Sequence, residues 1–299
     1  MDRVSSSEEP TAKISSIFIY PIKSCRGFLF LKHPSLLLYT GFQWDRQWLV
    51  VNSKGRAYTQ RVEPKLALVE VELPKDAFTE GWEPTKSSYL GCDFIIICHS
   101  HCLTVVRAPG MDALKVCLGK QCAKADGVSV WEWSGSALDE GDEAAQWFST
   151  YLGKPSRLVR FNAASETRAV DPKFAPGFKI MFSDEYPFLL ISQVSQVLYL
   201  WKDLRINGFK FQGVKLCSRC KVPTINQENG IAGSEPSVTL KEFRSDKVLR
   251  PNKKQQGKVY FGQNLVCKDS LTQGKGKAIS VGDCVYVLSK ASSPAEAAA

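Results

Sequence analysis

Two cysteines three positions apart, Cys217 and Cys220, stand in the stretch VKLCSRCKVPTINQENG with Lys215, Arg219 and Lys221 around them. This spacing serves three kinds of chemistry. Half of a structural zinc site needs a second pair of ligands. The compact group CHSHC, Cys98 to Cys102, offers Cys and His, but it lies between the strand-like FIII and LTVV and reads as a hairpin turn. A dithiol–disulfide pair should open a helix inside a βαβ unit; here Pro223 and the turn-prone INQENG follow instead. The third use is a single thiolate. Basic neighbours favour the ionised sulfur, and a soft donor suits a transition metal. The plain alternative is two small buried side chains. Spacing and charge leave these last two readings equally open.

Three other stretches carry chemistry-bearing groups. In PIKSCRG, Lys23, Ser24 and Arg26 end a strand-like run and have the charge and hydroxyl to cradle a phosphate; taken alone, a solvated basic turn is the simpler reading. In WDRQWLVV, Arg46 sits among aromatic and apolar residues, where a charge needs an acid or a bound anion beside it. In FSDEYPFLLIS, Ser183, Asp184, Glu185 and Tyr186 close a long loop before an apolar run. Acids at such a junction either donate protons or cap a turn, and the cap is the default.

The surrounding 299 residues have a formal net charge of +9, which favours anionic partners. No run of five Lys/Arg appears and the basic residues are not interleaved with aromatics, which argues against nucleic acid. The start, MDRVSSSEEPTAK, has no apolar core, so no secretory signal is expected. No stretch approaches the ~20 apolar residues of a membrane span, so no transmembrane segment or anchor is expected. Ten cysteines without a secretory signal suggest reduced thiols rather than a disulfide framework.

The elements that must position these groups are mostly strands. ISSIFIYPIKSC, FLFLKHPSLLLY, RQWLVVN and KLALVEVEL alternate or run apolar between Gly, Pro and Asn-Ser breaks. VSVWEWSGSALDEG reads as strand plus turn. DEGDEAAQWFSTYLGKP is the clearest helix: acids crowd its start, Ala145, Phe148 and Leu152 fall near helical spacing, and Gly153 and Pro155 end it. SRLVRF is a strand, NAASETRAVDPKFAPGFKIMFSDEYP a long loop, and FLLISQVSQVLYLWKDL a strand turning helical. INGFKFQGVKL is a strand pair, EPSVTLKEFRS a short helix, and GKVYFGQNLVC and ISVGDCVYVL closing strands. Strand-rich order with few helices argues a β-barrel or sandwich class.

Together these pieces resemble one family, the MOSC-domain molybdenum-cofactor proteins, of the mitochondrial amidoxime reducing component type in a plant-like form. IYPIKSCRG, WDRQWLVV, YTQRVEPKLALV, WEWSGSALDEG, SDEYPFLLIS, VKLCSRCKVPTINQENG and YFGQNLV with VGDCVYVL carry the resemblance in order from Ile17 to Leu288. It implies a mainly β (α+β) fold: an N-terminal MOSC-type β-barrel lobe over residues 12–134 and a C-terminal MOSC β-barrel domain over 135–290, with a few flanking helices. It implies the molybdenum cofactor, Mo-molybdopterin, with Cys220 as metal ligand and catalytic residue. Ser218 and Arg219 match cofactor contacts, and Lys23, Ser24 and Arg46 match the groups that hold pterin and phosphate. Asp184, with Ser183, Glu185 and Tyr186 beside it, matches an acidic position facing the metal and is the candidate for handling protons.

The implied activity is reduction of N-hydroxylated compounds such as amidoximes and hydroxylamines. Electrons would come from cytochrome b5 and NADH-cytochrome b5 reductase, in a mitochondrial or cytoplasmic setting. The alternatives are a MOSC-type cofactor carrier without turnover, and a splice-variant product that cannot hold cofactor. The last arises from two departures. The family has a further block, with an Arg-Pro-Asn strand, where Leu200 here runs into Trp201, an apparent deletion near 197–201. Conversely, GCDFIIICHSHCLT, Gly91 to Thr104, is inserted between SSYL and VVRAPG. Loss of a barrel strand should expose a sheet edge.

Overall fold

The computed structural model describes residues 9–30, 35–38, 40–84, 102–192, 198–254, 256–271 and 278–297. Strands dominate, and every strand pairing among them is antiparallel. The largest sheet has six strands in the order Ala12–Lys13, Cys284–Lys290, Trp201–Ile206, Phe209–Ser218, Tyr260–Cys267 and Phe188–Leu190. A four-stranded sheet orders Ala123–Val130, Trp133–Asp139, Ser156–Phe161 and Trp48–Asn52. A three-stranded sheet joins Glu70–Glu72, Leu103–Arg107 and Leu114–Cys117. The mainly β architecture expected from the strand-rich sequence is what forms.

Local sequence explains the joints. Ile206 pairs with Phe209 across Asn207-Gly208, whose φ values of 46° and 78° give the left-handed two-residue turn that Asn-Gly prefers. The helix Asp142–Leu152 starts with Asp142 and Glu143 against its positive end and stops at Gly153, φ 71°. It buries Ala144, Ala145, Trp147, Phe148 and Leu152 on a core that also holds Trp44, Trp48, Leu66, Val116 and Leu158. A second core, with Leu204, Phe211, Leu265 and Val285, takes in Ile17 and Ile19 from the start of the chain. Ala12 and Lys13 pair with Val285 and Cys284, so the first strand is stitched to the last.

Two local expectations change, and two others fall partly on residues outside the described part. Pro64–Leu68, within the strand-like KLALVEVEL, is a 3-10 turn, and only Glu70–Glu72 pairs as strand; Pro64 at the first position and the Leu66 and Ala67 contacts favour a tight turn over an extended run. Of the segment expected to turn helical after Leu190, Leu198–Leu200 forms a 3-10 turn and Trp201 begins a strand; residues 193–197 lie outside the described residues. Cys25, Cys122, Cys217, Cys220 and Cys284 are free thiols and Cys102 and Cys267 form no disulfide, but Cys117 is disulfide-bonded, which corrects the all-reduced expectation there. In the CHSHC group, Cys98 to His101 lie outside the described residues and Cys102 is buried. Among the described residues Phe188–Leu190 ends the six-stranded sheet, with Leu189 and Ile191 exposed beside it.

The helix packing gives a direct check. Phe148→Ala, at a side chain with no solvent exposure, is expected to destabilise the fold by about 3–5 kcal/mol. Val62→Ala, at an exposed site, should stay within about 0.5 kcal/mol; urea unfolding followed by circular dichroism measures both.

Candidate functional site

The ten site residues named from the sequence come together. Lys23, Ser24 and Arg46 from the first third of the chain, Ser183 to Tyr186 from the middle, and Ser218, Arg219 and Cys220 all line one cleft of about 1480 Å³. Backbone hydrogen bonds lock its first wall. Lys23 N donates to Trp48 O at 2.8 Å, Trp48 N to Pro21 O at 2.9 Å, and Arg46 N to Tyr20 O at 2.8 Å. Ser24 and Arg46 both take positive φ, 65° and 50°, a conformation that side chains other than Gly, Asn and Asp seldom adopt. Such backbone strain collects at functional sites.

Lys23 is buried, and its ammonium donates to Asp184 Oδ1, which also accepts from Trp131 Nε1 at 3.1 Å. Burial pushes the Lys23 pKa down, with Asp184 pushing back. For Asp184, enclosure in the cleft acts upward, but the Lys23 ammonium and the Trp131 N–H outweigh it and bring the carboxyl to about 2. Arg46 answers the question its apolar neighbours raise: it is held by Asp45, at 2.7 Å to Oδ1 and 2.5 Å to Oδ2, and stacks 4.4 Å over the Tyr20 ring. Burial lowers its pKa, yet Asp45 carries it above the ordinary value.

The acidic junction is not self-capped. Arg168, nearly buried, donates to the Ser183 carbonyl, to Met181 O at 3.1 Å and to Asp184 O at 2.9 Å, so a cation folds the SDEY turn. Burial lowers the Arg168 pKa.

The cysteine loop enters from the Phe209–Ser218 strand and turns at the 3-10 segment Val222–Thr224, where Pro223 sits. Arg219 does not serve the cysteine beside it. Its Nη1 donates to Cys217 Sγ at 3.2 Å, across the strand end, because alternate residues point the same way. Burial raises the Cys217 pKa, with Arg219 opposing. Cys220 is half-buried on the cleft wall. Gln227 Nε2 donates to Gln60 Oε1 at 3.1 Å, and Gln60 Nε2 donates to Ser24 O at 2.8 Å, tying the cysteine loop to the Lys-Ser turn.

Sequence reasoning missed four residues of this wall: Gln60, Arg61, Trp131 and Arg168. Trp131 alone left a signal, since it occupies a two-residue hairpin connection where Gly or Asn belongs. An Arg-Pro-Asn triplet does occur, at Arg250-Pro251-Asn252, but beyond the cysteine loop. There Arg250 bonds Asp246 at 2.5 Å, and Asp246 also accepts from Tyr260 and the backbone of Gln256 and Lys258. It is structural and lies off the cleft wall.

The wall is rich in cations, Lys23, Arg46, Arg61, Arg168 and Arg219, and the buried Arg219 Nε has no hydrogen-bond partner among the described residues. A guanidinium donor without a partner, on a wall this rich in cations, fits a phosphate-bearing group. Among the described residues no three His, Cys, Asp or Glu side chains gather into a metal-binding group.

Residues 11–155 match the MOSC N-terminal beta barrel domain and residues 189–286 match the MOSC domain. This chain is a MOSC-domain protein. Mitochondrial amidoxime-reducing component 1 of Homo sapiens is 28% identical over 312 residues, covering 92% of this chain and 82% of that one. Mitochondrial amidoxime reducing component 2 of Bos taurus is 27% identical over 267 residues, covering 77% of this chain and 72% of its own. Molybdenum cofactor sulfurase of Danio rerio is 27% identical over 283 residues, but they are only 31% of its length. No helix among the described residues is long and apolar enough to cross a membrane.

The Lys23–Asp184 bond predicts a titration. Asp184 ionises at about 2 in the folded chain against an ordinary 3.8, so its contribution to stability is full above the ordinary value. That contribution is lost as the pH falls through about 2. A carboxyl-detected NMR titration should place the Asp184 midpoint near 2, and Lys23→Met should move it upward, towards the usual carboxylate range.

Proposed function

We propose that this protein is a molybdenum-cofactor-dependent reductase of N-hydroxylated compounds, taking electrons from cytochrome b5 and its NADH reductase. The observation that carries the reading is the convergence of a half-buried thiol, Cys220, with Lys23, Arg46, Arg61, Arg168 and Arg219 on a single cleft. The similarity to the amidoxime-reducing components supports the reaction. A guanidinium fork suits the phosphate and pterin of such a cofactor, and thiolate sulfur suits molybdenum.

In this reading Cys220 Sγ ligates the metal, Lys23, Ser24 and Arg46 hold pterin and phosphate, and Ser218 and Arg219 grip the cofactor from the cysteine loop. Ser183, Glu185 and Tyr186 complete the wall, on a turn that Arg168 holds rigid. Bound there, the cofactor supplies the two-electron reduction that removes oxygen from an N–OH group. The balance is R–NOH plus two protons and two electrons to R–NH and water, so the protein must deliver protons. Asp184, ionised at neutral pH, accepts hydrogen bonds and is a poor proton source by itself. Lys23, whose pKa is lowered and whose ammonium touches Asp184, is the proton-bearing partner, with Asp184 relaying towards the substrate. The net charge of +9 suits docking of an acidic electron donor.

The edge at Phe188–Leu190, unpaired on one side among the described residues, favours a second reading, a MOSC protein that carries the cofactor weakly or without turnover. Elemental analysis of purified protein, followed by benzamidoxime reduction with cytochrome b5 and its reductase, separates the two. The reductase reading expects bound molybdenum and turnover, with Cys220→Ala losing activity by at least about a hundredfold, the scale of a lost catalytic interaction. Molybdenum without turnover leaves the carrier, and no molybdenum after expression with cofactor supply rejects both.

A further inference from the structure

Trp131 is an expensive residue in its position. It connects the strands Ala123–Val130 and Trp133–Asp139 in a two-residue turn with φ 56°, where Asn or Gly is unstrained and a bulky aromatic is not. Core packing does not account for it, because the side chain is 48% exposed. Yet the indole is fixed on two sides. Its Nε1 donates to Asp184 Oδ1 at 3.1 Å, and the Arg61 guanidinium lies 4.4 Å from the ring centroid. One face is thus covered by a cation, which leaves the exposed face as a flat, oriented π surface on the wall that also holds Cys220.

The neighbouring carboxylate is half used. Lys23 and Trp131 both bond Oδ1 of Asp184, and no hydrogen bond within the described residues reaches Oδ2. The Asp184 side chain is 59% exposed, so Oδ2 is an available acceptor. A flat π face beside a free carboxylate oxygen recognises one chemical shape: a planar conjugated group bearing N–H donors in its own plane.

We propose that Trp131, backed by Arg61, is the seat for the aromatic part of the substrate, and that Asp184 Oδ2 takes its amino N–H. The seat sets a preference, within the N-hydroxylated substrates of the proposed reaction, for members that carry an aromatic ring. Small aliphatic N-hydroxylated compounds lack the ring and gain nothing from this surface. The inference rests on the reductase reading for its reaction, while recognition by the seat is a property of the protein wall alone.

The test uses the full chain with benzamidine and acetamidine as non-reacting probes, their binding measured by calorimetry. Trp131→Asn removes the ring and suits the left-handed turn; Trp131→Phe keeps a π face and drops the N–H. The parent should prefer benzamidine over acetamidine, and Trp131→Asn should cut that preference about three- to tenfold, the scale of an aromatic stacking contact. Trp131→Phe should recover most of it. For protein that turns over, KM for benzamidoxime should rise by the same factor in Trp131→Asn relative to acetamidoxime. An unchanged preference, an equal loss for both probes, or a fall in molybdenum content would overturn the seat. Absence of molybdenum or turnover counts against the reductase reading alone, since the calorimetric arm still decides the seat.

Discussion

The Lys23 ammonium is buried and has one carboxylate beside it, and much of the molecule is arranged around that fact. A buried cation without a counter-charge is costly, and breaking a buried pair by removing one partner is typically worth about 3–5 kcal/mol. Here the figure is smaller, because Asp184 faces the cleft and water screens the pair. The bond nevertheless spans 161 positions of sequence and joins the Lys-Ser turn to the SDEY turn. Each side is braced separately: Lys23 by its backbone bond to Trp48, Asp184 by Arg168 through its carbonyl. Two turns that meet by charge are held rigid by hydrogen bonds that do not depend on charge.

A wall built this way is positive without being self-neutralised. Arg46 has Asp45 and Lys23 has Asp184, while Arg219 spends one nitrogen on a neutral thiol and leaves another unpartnered. The surplus is what an anion would take up. Acids near the cations therefore do two things at once: they keep buried charges ionised, and by being too few they leave a field for a ligand.

The strands and the helix were legible because period and punctuation are local. Asn207-Gly208, Gly153 and the spacing of Ala145, Phe148 and Leu152 each announce their geometry within a few residues. The gathering of the site residues in one cleft was legible only through resemblance, since nothing in the spacing of Lys23, Asp184 and Cys220 says that they meet. The misses have physical causes. Pro64 and tight contacts turned an apolar run into a 3-10 segment. Arg219 bonds the cysteine two positions back rather than its neighbour, because a strand end places alternate residues on one side. Arg168 looks like any loop arginine, and its role exists only where three carbonyls converge in space.

The pairing of Ala12 and Lys13 with the final strand has a consequence for synthesis. Ile17 and Ile19 lie in the same core as Leu204, Leu265 and Val285, so an early part of that core waits for residues made much later. A chain emerging from the ribosome at about 5–20 residues per second holds these apolar strands without partners until Val285 has emerged. During that interval the helix Asp142–Leu152 and its core can already consolidate, since their partners are local or already made. The second core closes only once Val285 and its neighbours have been made, and with it the wall that Cys220 occupies.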